Sequence, residues 1–205
     1  MQPGQPKSGA LRLATADDVP VLARTLARAF EQDPLIQWLV PQDEKVLERA
    51  AQVFTGYLRL LALPHGMTWT TSDLHAAALW SPPGCWRMGP LTQARVAPYF
   101  LRAATWRHLP TRVLALEKII AAHPREPHYY LQVMGVDPDA QGRGWGSQLL
   151  ARGTGIADEA HLPCYLETMT ERNVSLYLRH GFRVVGELTL PFAGPRTWRM
   201  WRNAR

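Results

Sequence analysis

Cysteine is scarce in this 205-residue chain: Cys85 and Cys164 stand far apart, with no CxxC spacing and no histidine cluster beside them. That pattern excludes a disulfide framework and offers no metal site. It fits a reduced, cytoplasmic compartment. Long apolar runs are also missing. Met1 to Ala10 is polar and rich in Gly and Pro, unlike the apolar centre of a signal peptide. No later stretch reaches the ~20 apolar residues of a membrane-spanning helix. Residues 1–10 read as a flexible lead to one domain over residues 11–205, with no internal repeat.

What is present suits one α/β domain with a real core: 46% of residues are hydrophobic and 20% charged. Eight Trp and six Tyr supply bulk for a core and walls for a pocket. The net charge is +6, and from Glu171 onward seven Arg against two acids account for +5 of it. A basic patch of that kind meets nucleic acid, anionic lipid or a phosphorylated cofactor. The tail lacks clear spacing for stacking bases, so neither nucleic acid nor a membrane is expected as a partner.

The periodicity predicts a strand at Leu11–Ala14, then a capping box from Thr15 to Asp18 and a helix through Val19, Leu22, Leu26 and Phe30. Asp33-Pro34 is expected to end that helix. A second helix is expected over residues 43–63, and a hairpin from Met67 to Trp80 about Ser72-Asp73. A Pro/Gly loop follows, then helices over Leu91–Trp106 and Thr111–Ala122. The last third predicts a strand at Tyr129–Val136, a Gly-rich loop, a helix at Trp145–His161 and a strand at Cys164–Thr168. A short helix to His180 follows, closed by Gly181, and two final strands.

The loop carries the chemistry. In Val136-Asp137-Pro138-Asp139-Ala140-Gln141-Gly142-Arg143-Gly144-Trp145-Gly146-Ser147, three alternating glycines lead from a strand into a helix. Glycine lets backbone amides approach a ligand, and the free N–H groups of a helix start form an anion site suited to a pyrophosphate. Arg143 adds charge. The spacing is GxGxG, not the GxGxxG of a dinucleotide fold, and no Lys completes a P-loop. A calcium loop would need Glu where Gln148 stands.

Gln141-x-x-Gly144-x-Gly146 resembles the signature of the GNAT acetyltransferase superfamily. Leu166-Glu167-Thr168, Asn173, Tyr177, Gly181-Phe182 and Arg196-Thr197-Trp198 are similar to the closing half of puromycin N-acetyltransferase and its relatives. Leu13-Ala14-Thr15, Asp17-Asp18-Val19-Pro20, Ala29-Phe30 and Ala78-Leu79-Trp80 continue the likeness at the start. Met169 stands where those enzymes carry Ser, and Asp33 stands near their acceptor-side Tyr; both count against puromycin itself as acceptor.

The resemblance implies a mixed, largely antiparallel α/β sheet with helices on both faces and a splayed cofactor cleft. It implies acetyl-CoA as acyl donor, a primary amine as acceptor and no metal, in a monomer or homodimer. Met134, Gly135 and Val136 would pair with the pantetheine arm, and Gln141, Gly142, Arg143, Gly144, Trp145, Gly146 and Ser147 would hold the pyrophosphate. Asn173 and Tyr177, one helical turn apart, would face the thioester. A non-catalytic CoA-binding sensor would share this loop.

Acetyl transfer to an amine wants a base on the acceptor side and an acid on the sulfur side. An amine of pKa ~10.4 is only about one part in two thousand neutral at pH 7. Tyr177 is the candidate acid. Glu167, an acid on a central strand where burial is expensive without purpose, is the candidate base. Glu126, His128 and a chain of waters are alternatives. Asp33, Trp38, Trp80 and Trp86 are candidates for binding a cationic amine on an apolar body.

Overall fold

Strand β3 (Ala76–Ser81) is buried at every position and runs between the two layers of the core. A computed structural model describes residues 10–103 and 109–205. The expected lead over residues 1–9 and the expected helix end at Trp106 lie outside the described residues. Beside β3 lie β1 (Leu11–Leu13), β2 (Thr68–Thr71), β4 (Tyr129–Val136), β5 (Cys164–Thr168), β6 (Arg183–Thr189) and β7 (Arg196–Arg202). The sheet order is β1-β2-β3-β4-β5-β7-β6. Every pair is antiparallel except β4 with β5, so the sheet is the mixed, largely antiparallel one expected.

Alternation along β3 divides the core into two layers. Ala77 and Leu79 meet α1 (Val19–Ala29), α2 (Pro34–Leu39) and α3 (Val46–Tyr57), together with Ala103 at the end of α4 (Pro90–Ala103). Ala76, Ala78 and Trp80 meet α6 (Trp145–Glu159) and Tyr177 of α7 (Glu171–Arg179). Helix α5 (Leu109–Ala122) leads into β4. No described helix is long and apolar enough to cross a membrane.

Small residues set the helix distances. A methyl group on Gly135 of β4 would lie 2.8 Å from Leu26 and 3.0 Å from Ala29 of α1. On the other face, the Trp80 ring lies against the backbone of α6 at Gly153.

Asp33-Pro34 does not end the first helix. Helix α1 already stops at Ala29, and Asp33 opens α2: its Oδ1 accepts the Leu35 N–H at 2.9 Å, with Pro34 at the first helical position. Aspartate as N-cap followed by proline is a start signal. Helix α3 is also shorter than expected; a π turn at Leu58–Ala62 and a 3-10 turn at Leu63–His65 continue it.

Two register features create the site. Between β3 and β4 the partners pass from Leu79↔Val133 to Trp80↔Leu131, so β4 bulges at Gln132. Between β4 and β5 only Tyr129, Tyr130 and Leu131 pair, with Cys164, Tyr165 and Leu166. Beyond them the strands part.

Gly153→Ala tests the close approach of α6. Alanine in a helix interior normally stabilises by up to about 1 kcal/mol over glycine. Here its Cβ would lie 2.1 Å from the Trp80 ring. The expected outcome is a net loss of about 2–3 kcal/mol in chemical denaturation, partly recovered by Trp80→Phe.

Candidate active site

The parting of β4 and β5 opens a cleft of about 480 Å³. Met134, Gly135 and Val136 line one wall, and Asn173 and Tyr177 of α7 the other. Gln141, Gly142, Gly144, Trp145, Gly146 and Ser147 line its mouth. The loop takes this shape because Gly142 (φ +75°) and Gly144 (φ +81°) occupy the left-handed region, which costs glycine little. Helix α6 closes its first bond from Gln148 N–H to Gly144 O at 3.1 Å. The N–H groups of Trp145, Gly146 and Ser147 thus lack helical acceptors and suit an anion. Gln141 Nε2 donates to Val136 O at 3.2 Å and pins the loop to β4.

Behind the loop, Arg28 of α1 lies 2.8 Å from Asp139 and 3.5 Å from Asp137. These carboxylates therefore hold the loop to α1. Arg143 does not line the cleft as expected; its guanidinium donates to Asp139 O at 3.1 Å. Arg172 and Arg179 of α7 do line it. Sequence reasoning missed them, although seven residues apart is two helical turns and puts both on one face.

Asp33 also lines the cleft. Its Oδ2 accepts from the Thr170 hydroxyl at 3.2 Å. Burial pushes its carboxyl above the usual range, against the pull of the Leu35 and Thr170 hydrogen bonds. Burial, and secondarily Asp33, pushes the Tyr177 hydroxyl well above the ordinary tyrosine range. Tyr177 therefore stays protonated, the form an acid must have.

Glu167 follows the last paired residue of β5, at the apex where the strands part. Its side chain is 4% exposed. It faces away from α6, and the Tyr130 hydroxyl donates to its Oε2 at 2.5 Å. His123, at the end of α5, places Nδ1 3.6 Å from Oε1 and stacks on Trp86 with 3.5 Å between ring centroids. Burial first, and the Glu167 charge second, push the Tyr57, Tyr130 and Tyr165 hydroxyls up. Arg199 pairs across from Glu167 on β7 and donates to Ala122 O at 2.7 Å.

Strand register puts Ser81, Gln132, Tyr165, Thr197 and Arg199 on the Glu167 face. Each carries a buried polar atom without a hydrogen-bond partner among the described residues, as does Glu167 Oε1. Such atoms are costly in a dry interior and favourable to a polar ligand. Their source in distant strands hid them from sequence.

The expected tryptophans lie elsewhere. Trp80 is 0% exposed in the α6 layer, on the opposite face from Glu167, and is a core residue rather than an acceptor contact. Its place follows from β3 alternation and the gap at Gly153. Trp38 donates from Nε1 to Phe192 O at 3.1 Å and lies under the Arg112 guanidinium at 3.6 Å, joining α2, α5 and the β6–β7 turn. Trp86, Glu126 and His128 line a separate depression of about 440 Å³.

Asp33→Asn should change how stability varies with pH. The folded carboxyl prefers its proton more than the unfolded one, whose pKa is ~3.9. Native stability therefore falls as pH rises from about 4 through the raised value. The amide can still cap α2, so the variant should lose that part of the slope, as read by melting temperature from acid to neutral pH.

A sequence model of the Acetyltransferase (GNAT) domain family matches residues 111–184. An uncharacterised N-acetyltransferase of Schizosaccharomyces pombe is 26% identical over 191 residues, covering 84% of this chain and 74% of that protein. Among solved structures, a Corynebacterium glutamicum protein described as histone acetyltransferase HPA2 and related acetyltransferase superposes with a TM-score of 0.70. It is 24% identical, and 96% of each chain is covered. A Drosophila melanogaster polyamine N-acetyltransferase, which forms N-acetylagmatine, gives 0.59 at 15% identity, over 95% of this chain and 99% of that one. The last two similarities speak for the fold. The family match covers residues 111–184, and together with the loop and the parted strands it supports an acetyltransferase of the GNAT type.

Proposed function

We propose that the chain moves the acetyl group of acetyl-CoA directly to a primary amine of a small molecule, within a ternary complex formed on one domain spanning residues 11–205. One observation carries this reading: a single cleft joins the glycine loop, the stretch Met134–Val136 of β4 that β5 leaves unpaired, and Tyr177 of α7. Pyrophosphate would accept the N–H groups of Trp145, Gly146 and Ser147. The pantetheine arm would run along Met134, Gly135 and Val136, whose β5-facing edge has no strand partner, in the manner of an added strand. Arg172 and Arg179 suit the cofactor's phosphates, and Asn173 suits its amide-bearing arm.

The thioester would then lie between Tyr177 and Glu167. Glu167, as base, would take a proton from the ammonium and free the nitrogen lone pair for attack. Tyr177, as acid, would protonate the departing sulfur. Unpartnered polar atoms about Glu167 favour a compact acceptor with several hydrogen-bonding groups. Formation of N-acetylagmatine by the Drosophila relative is a precedent for a small cationic amine on this fold.

A panel of small amines and lysine peptides, assayed with acetyl-CoA by free-thiol release, tests the reading. Turnover is expected on small amines; turnover on peptides alone would refute the acceptor class. Acetyl-CoA should raise the melting temperature. Gly144→Asp puts a carboxylate at the anion site and a side chain where φ is +81°, so it should abolish that shift. An undiminished shift in a folded variant would remove the loop from the site.

Tyr177→Phe keeps the ring and its edge contact with Phe182. The expected fall in kcat is roughly 10²–10⁴-fold, with acetyl-CoA affinity little changed. A more acidic leaving thiol should lessen the fall. Normal turnover would strike Tyr177 from the mechanism.

A further inference from the structure

A carboxylate is in general a far weaker base than an amine, so one that takes the acceptor's proton needs somewhere to pass it on. The hydrogen bonds behind Glu167 show where its proton can go.

His128 Nδ1 lies 2.6 Å from the carbonyl oxygen of Glu126. A carbonyl only accepts, so Nδ1 carries a proton. Burial holds the His128 ring below the usual histidine pKa, so it is neutral at physiological pH and its Nε2 is an acceptor. His123 Nε2 stands 2.9 Å from that atom and must donate. A neutral His123 then bears no proton on Nδ1, the nitrogen 3.6 Å from Glu167 Oε1. The other carboxylate oxygen is engaged by Tyr130, and Oε1 has no hydrogen-bond partner among the described residues. Two acceptors therefore face one another across a gap that one proton would close.

We infer that His123 and His128 receive the proton that Glu167 takes from the acceptor, so that Glu167, His123 and His128 act as one extended base. The inference rests on Glu167 as the base. The ammonium N–H bond breaks as an O–H bond forms at Oε1, and the nitrogen keeps the electron pair for attack. That proton moves to His123 Nδ1 and restores the carboxylate. The resulting imidazolium gives its Nε2 proton to His128 Nε2, and the His128 Nδ1–H bond breaks to pass one proton to water in the surface depression that His128 lines. Both rings are then neutral in the opposite tautomers, and proton exchange with that water restores the starting pair.

The surroundings leave few other titrating groups. His123 is faced by Tyr165 and Glu167 of β5, Tyr130 of β4, His128, and the Trp86 ring. Glu167 also meets the field of Tyr57 from α3 and of its cross-strand partner Arg199 from β7. Trp201 and Tyr165 flank His128, with Glu126 two residues away. Burial keeps the three tyrosines neutral, so the remaining titratable groups beside the pair are Glu167, Arg199 and Glu126.

His123→Phe retains a ring to stack on Trp86 and removes both nitrogens. With an alkylamine near neutral pH, kcat should fall by about 10²-fold. That loss should shrink as pH rises toward the amine's own pKa. With an alkoxyamine, already neutral at pH 7, the variant should keep nearly normal kcat. Equal losses on both amines would overturn the proton route and leave His123 a structural residue. Nitrogen-15 NMR of the wild-type imidazoles gives a readout without turnover: His128 should be protonated on Nδ1 and His123 on Nε2. A neutral His123 protonated on Nδ1 would overturn the inference. Absence of wild-type turnover on every amine would sink the proposed activity instead, while the ring tautomers would still decide the proton route.

Discussion

Beyond Leu131, the edge of β4 that faces β5 has no strand beside it among the described residues, although β4 lies in the middle of a seven-stranded sheet. Backbone N–H and C=O groups in that position must find partners in water or in a ligand. The bare edge begins where β5 leaves β4, at the bulge of Gln132. Strand β5 is parallel to β4 and antiparallel to β7, and its pairing with β4 stops after three residues. An extended, amide-bearing chain fits beside the exposed edge as another strand would. The glycine loop, at the end of β4, then lies at the mouth of the same cleft.

The two faces of the sheet treat the opening differently. The α6 layer is apolar and close-packed, with Trp80 filling the space left by Gly153. The Glu167 layer holds four ring systems, Trp86, His123, Tyr130 and Tyr165, around a carboxylate. That carboxylate is held by one hydrogen bond, from Tyr130, with His123 beyond hydrogen-bond distance at 3.6 Å. The close-packed α6 layer backs the cleft, while the other layer gathers polar groups around Glu167.

Much of this was legible in the sequence. The strand Tyr129–Val136 and the helix start at Trp145 have the expected bounds, because alternation, a run of glycines and renewed helical spacing are all local signals. The pairing of Asn173 with Tyr177 on one side of the cleft was likewise available from helical spacing. Asp33 was misread as a helix stop because Asp-Pro serves equally as a helix start, and only the chain after it decides which.

What the sequence determined by itself was periodic or local: the bounds of β4 and β5, the glycine loop and the start of α6. Tertiary structure decided which side chains meet. Trp80 was drawn into the α6 layer by the parity of β3 and a glycine 73 positions later. Tyr130, Glu167 and His123 came together from three elements. Arg143, inside the motif, turned back onto Asp139, while Arg172 and Arg179, outside it, faced the cleft. Spacing along a chain specifies the face of one helix or strand, but contact between elements depends on sheet order, register and packing distance, which no local pattern contains.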